Sequence, residues 1–595
     1  MNNVVIKKTI AVILFCLGSP SVISAQNSAN DSGQNDHVRF GKESVYLHYN
    51  ASLLLVGEYL YYNAYVLNAE NNNPTEISKI AYVVLLNEDG STIFKHKVRL
   101  NKGIGNGDFF IPVAVPSGNY KLVGYTQWMT NWDENHFFAS DITIINPYTN
   151  DQKALRHSNE NDAPNANEAG YSSSDLKVAT TTTDSNFQIL LEKGTFSKRE
   201  KVMVQLSGTG EVFHGNYSVS VRKRASVDPP LRVNANNFMT KEPRPAAKLS
   251  DGTALILPEL RGELLTGSIT SKNENVSVSN QKIAFSIPGP EYELKILTTD
   301  KNGVFNFSLD KEYLGEQGVF QVLGENASDF SIQMEDRFSI DAKQFDFGKF
   351  RLDSEMKDMI VERSIYNQIE NAYFKAKPDT LKIAAERLAF YGNPEITYDL
   401  DDYTRFKTVK ETLVEVIDNV WMTTDKNGKS MLHVRDLYTS DLQTAYKTLV
   451  LVDGLLLQDI DPLLNLDSRK IKTIRLLRNK YVFGSFIFQG IVDIETFDND
   501  FYDFRKPSHA KEVELFKPLP QKNYFKQEYG LADSSLENIP DYRMQLLWMP
   551  SLRLNSTNSF FDFFTSDVTG DFEISIEGFS KDGRPTSLRK IFTVD

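Results

Sequence analysis

Apolar residues in this chain come mostly in short runs that alternate with polar residues and stop at turn-forming residues, the pattern of half-buried β-strands. Between Val38 and Pro147, Gly57–Val66 lays aromatics along one strand and Ala81–Leu86 reads as a buried strand. Asn87-Glu88-Asp89-Gly90 is the hairpin turn into Thr92–Leu100. Pro116-Ser117-Gly118 turns into a return strand through Tyr120 and Leu122, with Tyr125 and Trp128 as core candidates. About seven strands at this spacing predict an immunoglobulin-like sandwich. A second strand group runs through Phe187–Leu191, Arg199–Leu206 and Gly215–Arg222. A third opens at Leu264–Thr270 and continues through Gln281–Ile287, Glu293–Thr298 and Val304–Leu309. The last, from Asp541 to Asp595, has strand patterns at Leu546–Pro550, Phe560–Phe564 and Phe572–Gly578.

Between the third and last groups the period lengthens. Met356, Met359, Ile360, Tyr366, Ile369 and Tyr373 fall at helical spacing and predict an apolar helix face within Arg351–Ala376. Thr408 and Glu411 form a capping box ahead of the stripe Val409, Leu413, Val416, Ile417 and Val420. Leu449–Val452, Ile471–Leu477 and Ile491–Thr496 are predicted strands of one small sheet. Asp453-Gly454 is the turn out of the first, and Asp467 or Ser468 caps the backbone between. Thr149–Ser185 is Asn-, Asp-, Ser- and Thr-rich and reads as a mobile linker. Val227–Asp251 reads as irregular, and Phe501–Asn538 as a charged connection.

Composition adds a compartment. Lys7 and Lys8, the apolar Thr9–Leu17 and a small-residue site at Ile23-Ser24-Ala25 describe an export signal, with a flexible mature start near Gln26. Cys16, the only cysteine, lies inside that signal behind bulky Phe15, so acylation at Cys16 is the less favoured alternative. Without it the mature chain has no thiol for a disulfide, a metal or a nucleophile. No other apolar run reaches the length of a membrane-spanning helix. The formal charge of −13 argues against nucleic acid as a partner.

The chemistry is sparse. The sequence carries no nucleophile elbow, zinc-protease, Walker or dinucleotide motif. Eight histidines (His37, His48, His96, His136, His157, His214, His433 and His509) show no metal-ligand spacing. The D-K-N-G sequences at Asp300 and Asp425 lack the further carboxylates of a calcium loop and read as hairpin turns. Asp459 with Asp461, or Asp399 with Asp401 and Asp402, read as caps and loop residues before they read as an acid/base pair. Arg475, Arg478 and Lys480 form a basic cluster that is either solvated strand or a docking face. No catalytic, cofactor-binding or metal residue is expected, no cofactor, and no evident small-molecule substrate.

The run Leu449–Thr496 resembles the core of the plug domain of TonB-dependent outer-membrane receptors. The resemblance rests on the strand ending at Asp453-Gly454, the I-x-x-I-x-x-L-R segment Ile471–Arg478, Tyr481 with Gly484, and Gly490–Thr496. In those receptors a barrel of about 22 strands follows the plug; the 99 residues after Thr496 lead to the expectation of a plug-like domain with no barrel of its own. No TonB box is evident. G-E-x-L-x-Y-x-A-Y from Gly57 and P-S-G-x-Y-x-L from Pro116 are similar to macroglobulin-type domains, as are R-E-K-V from Arg199 and the last strand group. Leu264–Ala342 resembles a carboxypeptidase-regulatory-like sandwich. The thioester chemistry of true macroglobulins needs a cysteine that the mature chain lacks.

The expected fold is mainly β and multidomain: serial immunoglobulin-like/macroglobulin-type β-sandwiches with a small α/β plug-like domain. The expected order is a signal peptide (1–25), a sandwich (38–148), a linker (149–185), a second macroglobulin-like sandwich (186–257) and the regulatory-like sandwich (258–345). A helical connector (346–397), the plug-like domain (398–500), a linker (501–538) and a C-terminal β module (539–595) follow. The resemblance implies a non-enzymatic interaction or scaffold protein, exported to the periplasm and associated with the outer membrane, whose partner is an outer-membrane protein or barrel. The alternatives are a macroglobulin-type protease-binding protein without thioester, for which 149–185 is the one bait candidate, and a hydrolase with an unrecognised site. Partner identity and oligomeric state stay open.

Overall fold

Alternating strands need partners for both edges and a cover for one face, and this chain finds many of those partners far away in sequence. The structure, a computed structural model, describes residues 40–132, 136–156, 187–209, 213–240, 255–335, 339–382, 389–438, 446–484, 486–507, 509–530, 535–556 and 558–595. The predicted signal and mature start lie outside them. So does most of the predicted linker, 157–185.

The first sandwich is local. Strands Glu43–Tyr49, Tyr59–Asn68 and Ile104–Phe110 make one sheet; Leu53–Leu55, Phe138–Ile145, Gly118–Tyr125, Ile80–Asn87 and Thr92–Arg99 make the other. Val45, Leu47, Tyr62, Val83 and Leu122 fill the space between. Tyr125 and Trp128 are both buried. The predicted linker starts too early: Leu155 is buried with Leu53, Leu55 and Ile145, so residues up to 156 belong to the edge of this sandwich.

The second strand group and the last one, predicted as two modules at 186–257 and 539–595, build a single sandwich. Its five-stranded sheet runs Thr195–Phe196, Pro585–Val594, Gly570–Ser580, Gly215–Lys223, Gln545–Leu554; its three-stranded sheet runs Asn558–Phe564, Lys201–Gly208, Phe187–Leu191. The reason is edge satisfaction. Gly215–Lys223 buries Tyr217, Val219 and Val221 and is flanked on both sides by strands from the last group, with Tyr217 opposite Leu552 and Gly578. Three strands from 187–223 alone would leave those edges and that apolar face open.

Inside this split sandwich lies a third. Glu263–Ser271 sits between Val304–Leu309 and Phe330–Met334; facing it are Glu293–Thr298, Lys282–Ile287, Gln317–Leu323 and Lys511–Glu514. The predicted 501–538 linker thus supplies an edge strand, and its Leu515 joins Phe285, Phe307 and Phe320 in the core. Asp300 accepts from the backbone N–H of Asn302 and Val304, and Asp425 from those of Asn427 and Lys429, so both D-K-N-G sequences are hairpin turns.

Innermost is an α/β module, a five-stranded sheet in the order Ile396–Asp399, Ile471–Phe483, Phe486–Thr496, Leu449–Val452, Leu455–Leu456. The three predicted strands are all in it. The helix Val409–Glu415 begins with the predicted capping box, and Val409, Leu413 and Ile417 are buried against the sheet. The architecture is therefore nested: the split sandwich encloses the third sandwich in sequence, which encloses the α/β module, and Lys42–Asp595 forms one compact unit.

The connector helix spans Lys357–Ala372, and most of the predicted stripe faces inward: Met359, Ile360, Tyr366 and Ile369 are half-buried, Ile360 beside Leu53 and Leu155 and Tyr366 on the core of the split sandwich, while Tyr373 is exposed. The fully buried residues of the helix are Arg363 and Ser364. Arg363 adds an ion pair with Glu58 to that partial apolar packing.

Candidate docking surface

The α/β sheet is buried on both faces. On one, Ile474, Leu476, Val492 and Ile494 pack with Val409, Leu413 and Leu463. On the other, Leu449, Leu451, Phe488 and Ile491 share a core with Ala284 and Leu294 of the third sandwich. Polar ties fix this second contact. Asp493, buried, accepts from Tyr391 at 2.6 Å and from Tyr292 of the third sandwich at 3.0 Å. Burial raises the Asp493 carboxyl, against the pull of its Tyr hydrogen bonds and of Arg475. Gln321 donates to the Leu456 carbonyl, and Gln458 donates to that of Val322. In the turn at Asp453-Gly454, a Cβ on Gly454 would lie 2.0 Å from Tyr292, and Asp453 accepts from Thr496 and Phe501.

One part of the sheet reaches past its neighbours. Along the central hairpin, Ile396–Asp399 covers residues 473–476 and Leu449–Val452 covers 491–494, whereas the hairpin continues to Phe483 and Phe486. A register shift after Leu477 and the left-handed Gly490 (φ 76°), pressed against Val434, reset the alternation. Tyr481, Phe483, Phe486 and Phe488 therefore turn toward the third sandwich. Val482 and Ile487, a directly opposed pair, turn outward and are 68% and 41% exposed.

The basic cluster divides. Arg475 is committed to Glu495 and Asp493, so it is not part of a free face. Arg478 donates to the carbonyls of Arg435 and Asp436, and the Lys480 ammonium lies 5.9 Å from the Tyr446 ring. Those contacts bring Arg435 to Tyr438 and Tyr446 to Lys447 beside the hairpin. Tyr438 is 82% exposed. These residues gave no signal in sequence; they are assembled by register and by the Val434–Gly490 contact.

The aspartates singled out earlier cap turns. Asp399 accepts from Asp401 N–H and Asp459 from Asp461 N–H, while Asp401 pairs with Arg405. Among the described residues no group of three His, Cys, Asp or Glu is placed to hold a metal. A serine–histidine contact does form, His48 Nδ1 to Ser218 Oγ at 2.6 Å, but both residues are buried where the first and split sandwiches meet, and burial pulls His48 well below its usual range. His433 is bonded to Thr423 and stacked on Trp421.

Two buried ionic clusters, unseen in sequence, hold the frame. Glu58 of the first sandwich meets Arg363 of the connector helix and Arg222 of the split sandwich, each at 2.8 Å. Lys97 of the first sandwich pairs with Glu263, which also accepts from Tyr313 at 2.6 Å. Beside it Glu259 accepts from Tyr82 and the Leu264 N–H, and burial raises its carboxyl to about 8 despite Lys97.

No family model and no curated protein matches this chain. Among solved structures, a variant of Salmonella alpha-2-macroglobulin is similar over 93% of this chain and 40% of its own, at 9% identity and a TM-score of 0.23. Escherichia coli alpha-2-macroglobulin activated by porcine elastase is similar over 93% and 44%, at 8% identity and a TM-score of 0.22. Dimeric latent PorU from Porphyromonas gingivalis is similar over 49% and 33%, at 10% identity and a TM-score of 0.15. This chain spans less than half the length of those macroglobulins. Superpositions this loose set neither domain order nor function.

Proposed function

We propose that this protein is a non-enzymatic scaffold, exported to the periplasm, that docks onto a partner at the outer membrane through its α/β module, the part that resembles a receptor plug. The observation that carries this reading is the central hairpin. The module is fixed on both faces by shared cores, yet its longest strands run past their neighbours and turn Val482 and Ile487 outward. An apolar pair held outward on a rigid support is what a contact surface uses. The test is co-fractionation with outer membrane of the wild type and of a Val482→Asp/Ile487→Asp variant. Deleting the module would be a poor test, because it would uncover Ala284 and Leu294 of the third sandwich. The reading expects the wild type in the membrane fraction and the variant released with its thermal unfolding unchanged. A variant retained as strongly as the wild type would place the contact elsewhere.

A further inference from the structure

The outward face of the hairpin has a charge as well as an apolar centre. Lys480 stands two residues from Val482 on the same strand, and the carbonyls of Arg435 and Lys447 accept from Arg478 and Gln489 of the hairpin; all three cations are exposed, and none forms an ion pair with a carboxylate of the described residues. Of the acids beside it, Asp436 is buried and turned to the Tyr438 N–H, and the exposed Glu395 accepts from the Arg478 N–H, which leaves the cations in excess. In a chain of formal charge −13, this face reverses the sign of the whole. Its complement is anionic and apolar at once.

A few side chains on a two-stranded arm cover far less than the roughly 800 Å² per partner that a stable protein–protein interface takes. They suffice for a bilayer surface. There aliphatic side chains enter the acyl boundary, tyrosine sits at headgroup depth, and cations meet lipid phosphates. We propose that this face binds an anionic lipid surface directly, with Val482, Ile487 and Tyr438 entering the headgroup boundary and Arg435, Lys447 and Lys480 paired to phosphates. The inference rests on the docking role proposed above and names what the site touches.

Flotation of the full chain with vesicles of phosphatidylethanolamine and phosphatidylglycerol tests it, against vesicles of phosphatidylcholine alone. The wild type floats with the anionic vesicles, less so as salt rises, and stays behind with the neutral ones. Lys480→Glu weakens binding by more than about fivefold, since a single cation near an anionic surface contributes about that factor. Val482→Asp/Ile487→Asp abolishes it, with circular dichroism and thermal unfolding unchanged. Lys581→Glu, an exposed cation on the split sandwich, binds like the wild type. Failure of the wild type to float, or flotation of the double aspartate variant, overturns the proposal. If purified lipid fails while native outer membrane still retains the wild type and releases the double variant, the partner is a protein and the docking reading stands. If both fail, both readings fall.

Discussion

Breaking the Glu58 cluster should loosen the frame at a point where three distant segments meet. Glu58 accepts from Arg363 Nε and Nη2 and from Arg222 Nη2, all at 2.8 Å, and from Asn367 at 3.3 Å. Burial alone would raise this carboxyl; the two guanidinium groups outweigh it and bring it from the usual 4.5 to about 2. That depression corresponds to about 3 kcal/mol of stability, fully present above pH 4.5 and lost as pH falls toward 2. Arg363→Met leaves the carboxylate with Arg222 as its one cation and strips the Leu53 carbonyl of the guanidinium donor. The expected cost is about 3–5 kcal/mol at neutral pH, as for other buried pairs cut on one side. Urea unfolding at pH 7 and pH 3, followed by fluorescence, reads it out; Trp548 stacks on Tyr61 in the adjoining interface and is a natural reporter. The wild type should lose more than half of this increment between the two pH values, and the variant, which lacks much of it at pH 7, should lose less. An Arg363→Met midpoint equal to the wild type at pH 7, or an identical acid dependence, would show that the cluster is a neutral decoration.

Other consequences follow from the same geometry. Glu259→Gln should stabilise the protein at neutral and alkaline pH. The Glu259 carboxyl titrates near 8 in the fold and near 4.5 when unfolded, so wild-type stability falls across that interval and the variant's should not, as thermal unfolding against pH will show. Leu413→Ala removes a side chain 1% exposed between helix and sheet and should cost about 2–5 kcal/mol in urea unfolding. Truncation after Pro540 takes both partners from Gly215–Lys223; 187–223 should become the first site of limited proteolysis and the fragment should bind a hydrophobic dye.

Local structure was readable in the sequence wherever it depends on neighbours. The T-x-x-E box at Thr408 and the Asp-Lys-Asn-Gly turns follow from side chains bonding backbone a few residues away. The sheet strands at Leu449, Ile471 and Ile491 follow from apolar runs that must be covered on both faces. Partnership was not readable. The alternation of Gly215–Lys223 is satisfied equally well by a nearby hairpin or by strands more than 300 residues on, and only the actual register, Asn216 opposite Arg553 and Phe579, distinguishes them. The connector helix shows a gap of another kind. Its apolar spacing located the inward face, where Ile360 and Tyr366 pack, but not the buried ion pair on it, since nothing near Arg363 in the sequence points to Glu58 as its partner. The candidate surface was half visible. Lys480 stands out as charge; Val482 and Ile487 lie outside the predicted strands, and a shift in alternation at Gly490 decides which face they take.

Nesting has a thermodynamic side and a kinetic one, and they differ in size. Closing a loop costs only about 0.6 kcal/mol more for each doubling of its length, so joining Gly215–Lys223 to Gln545–Leu554 costs little more than joining it to a strand 40 residues away. Buried Tyr217, Val219, Val221, Leu547 and Leu554 offset that many times over. The rate is another matter, since pairings of such long range are slow to form and leave edges open while they wait. In return, the α/β module is tied at both ends. The chain enters it from the connector helix, itself fixed to Glu58 of the first sandwich, and leaves it to return to the third sandwich through Lys511–Glu514, while Asp493, Tyr292 and the shared core fix its face. A domain hung on a single linker would swing; one tied in this way holds its outward hairpin in a fixed orientation relative to the third sandwich. A contact of a few side chains has little binding energy to spare for ordering its own support, so it needs that rigidity. The nested chain order and the small exposed face therefore belong to one arrangement: the distant pairings supply the stiffness, and the hairpin uses it.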